Sequence, residues 1–94
     1  MHFQKVIVIT KELIIKEKSM SYMGEILFQQ QKYDEAKVFF DKVIEIDENN
    51  ANAYYFRGEI FFQENNKVQA RSEWRKTLEI DPSHIRARNR YYTR

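Results

Sequence analysis

The chain has 94 residues, of which 43% are apolar and 15% aromatic, enough for one small hydrophobic core. It contains no cysteine, which excludes disulfides, thiolate metal sites and cysteine nucleophiles. Two glycines and one proline are too few for a fold built on many tight turns, so the composition favours long helices with short connections. The net charge is +2, but the charges are unevenly distributed. Four arginines follow Pro82, and the chain before Pro82 is slightly acidic.

The longest apolar run is Val6 to Ile9, whereas a membrane-spanning helix needs about 20 such residues. A secretory signal peptide needs an apolar region of about 7 to 15 residues, and here Thr10, Lys11 and Glu12 follow at once. We therefore expect neither a membrane span nor a signal peptide. This leaves the compartment open and favours the cytoplasm.

The N-terminal segment, residues 1–16, has two interpretations. Several of its apolar residues follow helical spacing, but four consecutive β-branched residues also fit a short strand. We favour a helix, because a lone strand has no partner in an otherwise helical chain. Since the segment is apolar on more than one side, we expect it to be buried on more than one side.

Aligning the sequence with itself so that Gly24 falls on Gly58 reveals an internal repeat. Ten positions are identical: Gly24/Gly58, Glu25/Glu59, Ile26/Ile60, Phe28/Phe62, Gln29/Gln63, Ala36/Ala70, Lys42/Lys76, Glu45/Glu79, Ile46/Ile80 and Asp47/Asp81. Ten identities without a gap are several times the number expected by chance. Residues 17–50 therefore form a first repeat and residues 51–84 a second.

Each repeat has the pattern of a helical hairpin. Glycine inside a helix costs about 1 kcal/mol relative to alanine, so Gly24 and Gly58 indicate close approach of the paired helix. The polar stretches 29–32 and 63–66 predict the turns between the helices. Asn66 and Asn50 are the expected caps of the helices that follow them. Ser83 is the expected cap of a further helix over residues 84–92.

Six residues of the second repeat, spaced as aromatic, glycine, aromatic, alanine, aromatic and proline, resemble the tetratricopeptide repeat. They are Tyr54, Gly58, Phe61, Ala70, Trp74 and Pro82. The resemblance implies an all-α, right-handed α-solenoid of helical hairpins. It would comprise an N-terminal segment (1–16), two repeats (17–50 and 51–84) and a C-terminal capping helix with a basic tail (85–94).

The chain departs from the family pattern at Arg57, where an apolar residue usually packs on the preceding repeat. Two explanations are open. The aliphatic stem of Arg57 packs while its head reaches solvent, which we favour, or the preceding surface is unusually polar.

The resemblance also implies a protein-interaction scaffold without catalysis or cofactors, in which the first helix of each repeat lines a concave groove. The implied groove residues are Lys18, Ser21, Glu25, Phe28, Gln29, Asn52, Tyr55, Glu59, Phe62, Gln63, Arg86 and Arg90. They would offer aromatic anchors, amides for a peptide backbone and two carboxylates for a basic side chain. The expected partner is a protein or peptide segment.

Other functions find less support in the sequence. One subfamily holds a chaperone tail carboxylate with Lys, Asn and Arg, but only Arg86 and Arg90 match that pattern here, which disfavours such a ligand. The arginines of the tail, with Tyr91 and Tyr92, could contact nucleic acid, although such a helix is more often a solvated face. The two histidines lack metal-ligand spacing, and we expect no catalytic, cofactor or metal site.

Self-assembly is the alternative function. Two repeats fall short of the roughly three that stacked arrays usually need for stability. The N-terminal segment also carries more apolar surface than one hairpin can cover, and we expect it to form a homodimer interface. The residues predicted for that interface are Val6, Ile7, Ile9, Leu13 and Ile14.

Overall fold

The structure is a computed structural model that describes the backbone of residues 2–93 and the side chains of residues 10–93. These residues form five helices: α1 (His2–Gln29), α2 (Tyr33–Ile46), α3 (Ala51–Gln63), α4 (Lys67–Ile80) and α5 (Ile85–Tyr92). The described part of the chain contains no strand, which confirms the all-α class. Helices α1 and α2 form one hairpin, α3 and α4 a second, and α5 packs on α4. None of these helices combines the length and the apolar character that crossing a membrane requires.

The N-terminal segment is not separate from the first repeat. Helix α1 runs without a break through residue 16, and its 28 residues are twice the 14 of α2. At about 1.5 Å per residue, α2 can therefore cover only half of α1. Leu13 and Ile14 are 46% exposed and Ile15 is 64% exposed, so a single chain does not bury this apolar stripe. The predicted interface residues Val6, Ile7 and Ile9 lie outside the described side chains.

The turns inside the two hairpins have the same structure, as the repeat predicts. Gln31 and Asn65, which occupy the same position in the two repeats, adopt the left-handed conformation with φ of 64° and 66°. In the first turn the backbone N–H of Lys32 donates to the Leu27 carbonyl at 2.9 Å, and in the second Asn66 donates to Phe61 at 2.8 Å. These bonds close the C-terminal ends of α1 and α3.

The helix starts confirm two predicted caps and correct the third. The side chains of Asn50 and Asn66 accept bonds from the backbone N–H groups of Ala53 and Gln69. Helix α5, however, is capped by His84, whose Nδ1 accepts from Ala87 N–H at 3.1 Å. Ser83 instead binds the Asp81 carboxylate. His84 occupies the repeat position of Asn50, so the alignment of the repeats marks the cap that residue type alone misses.

An aromatic ring lies directly against each helical glycine. A Cβ atom at Gly24 would lie 2.8 Å from Phe40 Cζ, and one at Gly58 would lie 2.5 Å from Trp74 Nε1. Phe40 and Trp74 are only 1% and 4% exposed. The absence of a side chain therefore lets an aromatic ring of the second helix lie on the backbone of the first, which explains why glycine occurs inside both helices.

The polar-surface explanation for Arg57 has direct support, since its partly exposed head bonds to a half-exposed carboxylate on the preceding hairpin. Its guanidinium lies 3.2 Å from an Asp41 carboxylate oxygen on α2 and 2.8 Å from a Glu73 oxygen on α4. Glu73 is buried, so Arg57 supplies the charge that compensates it. Met23 and Phe39 occupy the corresponding positions of the first repeat. An ion pair thus replaces an apolar pair at this point.

Candidate functional site

The predicted groove residues lie on α1, α3 and α5, the helices that open each hairpin and the tail. We call this surface the α1–α3–α5 face. It carries two cavities, one between α1 and α3 and one at the ends of α3 and α5 beside α4. The two cavities differ in the charges that surround them.

The α1–α3 cavity has a volume of about 320 Å³. Four predicted groove residues line it, together with residues that the sequence analysis did not assign. The predicted residues are Lys18, Ser21, Glu25 and Asn52, and the others are Glu17, Tyr22, Phe40, Asn50 and Ala53. Since the cavity holds two carboxylates and one lysine, its charge is negative. Tyr22, which is 68% exposed, adds an aromatic ring at its edge.

Glu17 is held in place by the cap of α3. Asn50 donates from Nδ2 to a Glu17 carboxylate oxygen at 2.8 Å, while its own side-chain oxygen caps the helix. Burial raises the pKa of Glu17; the bond from Asn50 opposes the shift, and the nearby Asp47 adds to it. The Glu17 carboxylate is therefore bound to the residue that caps α3, at the corner between the two repeats.

Glu59 is not available as a groove carboxylate. It is 4% exposed, and both of its oxygens accept bonds from Arg90, with Nε and Nη2 each at 2.7 Å. This paired geometry raises the pKa of Arg90. The neighbouring Tyr55 is also buried, and burial together with the Glu59 charge raises the pKa of its phenol. Arg90 is one of the two arginines that match the subfamily that binds chaperone tails. In this chain it is already paired with the Glu59 carboxylate.

The α3–α4–α5 cavity has a volume of about 570 Å³. Its lining contains three basic residues and no carboxylate, and it consists of Phe62, Lys67, Arg71, Trp74, Asn89, Arg90 and Thr93. The Arg90 guanidinium lies over the rings of Phe62 and Trp74, at 5.0 and 5.6 Å from their centroids. Only Phe62 and Arg90 of this lining were predicted groove residues. Lys67 and Arg71 belong to α4, a helix to which the family pattern assigns no groove residue.

The remaining predicted groove residues line neither cavity. Phe28 is half-buried in the core, edge-on to Tyr33 and Phe56 at 5.5 and 5.6 Å. Gln29 and Gln63 are exposed at the ends of their helices. Arg86 is exposed and its guanidinium lies 4.8 Å from the centroid of the Tyr55 ring. Two of the three described tail arginines, Arg86 and Arg90, therefore lie on rings of their own chain.

His84 joins α5 to the face. Its Nε2 lies 2.7 Å from the Asn52 side-chain oxygen, while Nδ1 accepts from the backbone of α5. The two bonds together require the neutral tautomer with its proton on Nε2. Burial and the charge of Arg86 lower the pKa of His84, which agrees with that form.

Comparison with known proteins places the fold. The family model of the tetratricopeptide repeat matches residues 24–65, which cover the first hairpin from Gly24 and all of α3. Among solved structures, the crystal structure of MamA matches with a TM-score of 0.75 and 23% sequence identity, over 80% of this chain. The chain spans 44% of the length of MamA. No curated protein matches the sequence.

These comparisons agree with the helical hairpins, the glycine and aromatic contacts and the paired turns described above. The tetratricopeptide repeat model matches residues 24–65, and the likeness to MamA shows the same fold over a longer part of the chain. The fold of the chain is that of tetratricopeptide-type helical hairpin repeats.

Proposed function

We propose that the chain is a protein-interaction module that holds an extended segment of a partner protein along the α1–α3–α5 face. The observation that carries the proposal is the pair of cavities on that face, about 320 and 570 Å³ in volume. Binding clefts of this size, with aromatic surface and a few placed polar groups, are typical of ligand sites. Tetratricopeptide repeats generally act as non-catalytic scaffolds, and the proposal involves no reaction.

The charges of the two cavities give the partner segment a direction. Glu17 and Glu25 lie in the α1–α3 cavity, and Lys67 and Arg71 lie beside the other. A segment with a basic residue at one end and an acidic residue at the other matches this order. Complementary charge of this kind fixes register and orientation more than it adds affinity.

The experiment compares the partners retained by wild-type and variant chains. Glu25→Lys inverts a half-buried charge of the α1–α3 cavity, and Glu45→Lys makes the same change at an exposed position on α2 away from both cavities. A pull-down with mass spectrometry identifies the proteins that the wild type retains. We expect them to be kept by Glu45→Lys and lost by Glu25→Lys, while circular dichroism shows equal helicity. Partners that remain bound to Glu25→Lys at wild-type affinity would place the binding surface elsewhere.

Glu59 is unsuited to this test. Because its carboxylate is buried and bound to Arg90, Glu59→Lys would bring two cations together and lower stability, whatever its effect on binding. Loss of binding in such a variant would not separate recognition from folding.

Self-association is a second candidate, favoured by the exposure of Leu13, Ile14 and Ile15 on α1. A stripe of apolar residues left open on one chain is a common feature of interfaces. We infer that two chains pair along residues 3–15. Light scattering over a range of concentrations should show a dimer that deletion of residues 1–15 converts to a monomer. A full-length chain that keeps the mass of a monomer at all concentrations would exclude the pairing.

A further inference from the structure

We propose that the α3–α4–α5 cavity binds an apolar side chain of the partner together with an adjacent carboxylate, so that the segment recognised there is acidic and apolar. The inference rests on the proposed function, because Phe62 and Arg90 belong to the α1–α3–α5 face. It goes further by naming the chemistry of one end of the ligand.

The shape of the cavity follows from one difference between the repeats. Phe56 lies between the first and second hairpins, stacked on Phe40 at 5.2 Å and edge-on to Phe28 at 5.6 Å. One repeat later in the chain, these three positions hold Arg90, Trp74 and Phe62. Arg90 contacts the same pair of rings that Phe56 contacts in the first interface, but its head turns to Glu59. The space beside Arg90 stays open. Phe62 and Trp74, whose counterparts in the first interface are covered by Phe56, therefore line a cavity.

The floor of the cavity suits an apolar side chain. Trp74 and Phe62 lie with their ring centroids 5.9 Å apart, and both border the open space. Aromatic side chains of a ligand bury a large area against such rings, and their edges and faces pack with specific geometry. A volume of about 570 Å³ is enough for an aromatic side chain with part of the backbone on either side.

The charges at the cavity favour a single carboxylate. Arg90 is neutralised by Glu59. Arg71 donates from Nη1 to the Tyr91 carbonyl at 2.7 Å, yet keeps its positive charge. Lys67 is exposed, and it forms no ion pair with any carboxylate among the side chains of residues 10–93. The cavity is therefore positive overall, with Lys67 as the cation best placed to meet an incoming anion.

Nucleic acid fits these observations less well than an acidic peptide. A strand of nucleic acid needs a track of cations along its phosphates besides aromatic rings for its bases. Here Arg90 is already paired, and the Arg71 guanidinium lies 4.4 Å from the Tyr91 ring, against its own chain. One exposed lysine beside an apolar cavity matches a carboxylate next to an apolar side chain.

The sole tryptophan of the chain, Trp74, lines the cavity and reports directly on its occupancy. The probes are three capped peptides: acetyl-Asp-Phe-Gly-amide, its uncharged analogue acetyl-Asn-Phe-Gly-amide, and acetyl-Asp-Ala-Gly-amide, which lacks the ring. They are titrated into the full chain at pH 7 and low salt while tryptophan emission is followed. We expect saturable changes that are strongest for the first peptide and weaker for each of the others.

Two variants test the two parts of the proposal. Lys67→Ala removes the exposed cation and should weaken the acidic peptide about threefold to fivefold, the range of an exposed ion pair, without affecting the uncharged peptide. Asn89→Phe places a ring in the open space and should abolish binding of all three. Lys76→Ala, the same charge change on the same helix outside the cavity, is the matched control and should bind as the wild type does.

Several results would overturn the proposal. They are an unchanged emission with every peptide, equal affinities for the acidic and uncharged peptides, or wild-type affinity in Asn89→Phe chains of normal helicity. Emission that changes with protein concentration alone would show that a second copy of the chain fills the cavity. Preferential binding of a single-stranded oligonucleotide would show that the ligand is a nucleic acid and not a peptide.

If natural partners are still lost on Glu25→Lys while the peptides fail to bind, only the chemistry inferred for this cavity is wrong. If partners survive Glu25→Lys and the acidic peptide binds, the cavity acts without the rest of the face.

Discussion

The two interfaces that follow the hairpins use the same positions but different chemistry. Between the repeats, Phe56 closes the space against Phe28 and Phe40, and the result is a buried aromatic cluster. Between the second repeat and α5, Arg90 takes the position of Phe56, pairs with Glu59 and leaves a cavity of about 570 Å³. The comparison shows how one substitution in a repeated framework converts packing surface into a candidate binding surface.

The largest expected effect is at the closed interface. Phe56→Ala should lower the free energy of unfolding by about 3 to 5 kcal/mol, because it removes a buried ring that touches two others. Urea denaturation measures the loss. A decrease below about 1 kcal/mol, well under the cost of emptying a packed site, would show that the first interface is as open as the second.

The glycine contacts come next and test whether the hairpins are packed alike. Gly58→Leu should cost about 2 kcal/mol or more, since even a Cβ atom would lie 2.5 Å from Trp74 Nε1. Gly58→Ala separates packing from helix propensity. Alanine in an open helix position gains up to about 1 kcal/mol over glycine, whereas the close indole predicts a loss. A higher melting temperature for Gly58→Ala would mean that the register of this hairpin is wrong.

The smallest expected effect is a pH dependence at the start of α5. Burial lowers the pKa of His84 from its ordinary value of 6.5, so the unfolded chain binds the proton more readily than the folded chain. The contribution of His84 is therefore present above pH 6.5 and is lost as the pH falls from there toward the lowered folded pKa. Protonation would also place a hydrogen on Nδ1, which now accepts from Ala87.

The matched control for this effect is His84→Asn, which installs the residue that caps α3 at the same repeat position. Melting temperatures between pH 7.5 and 5.5 should decrease slightly in the wild type and less in His84→Asn. Equal slopes in the two proteins would assign the pH dependence to other groups.

The sequence predicted most of what repeats and little of what differs. The internal repeat predicted the hairpins, their turns and the caps at Asn50 and Asn66, because these depend on local residue types. It could not predict the pairing of Glu59 with Arg90 or of Arg57 with Glu73, since side-chain partners on different helices leave no local pattern. A signal was nevertheless present: an arginine stands where the preceding repeat has Phe56.

The exposure of the N-terminal half of α1 could not be predicted from local residue patterns, for a different reason. Its apolar residues predict burial, yet the described part of the chain contains no second helix long enough to cover Leu13 and Ile14. The basic side of the larger cavity was missed because Lys67 and Arg71 lie on α4, whereas the family pattern directs attention to the first helix of each repeat.

The most direct test of the comparison is the effect of Arg90→Phe in two backgrounds, measured as the free energy of unfolding. In the wild-type background the substitution leaves the Glu59 carboxylate buried without its partner, which costs about 3 to 5 kcal/mol. Burial of the new ring offsets part of this, so we expect a net fall of about 1 to 3 kcal/mol. In a Glu59→Gln background no charge is stranded and the new ring can fill the cavity as Phe56 does, so stability should rise by about 1 kcal/mol. Such a reversal of sign would show that the ion pair alone keeps the second interface from closing like the first. A loss of stability of the same size in both backgrounds would contradict the account.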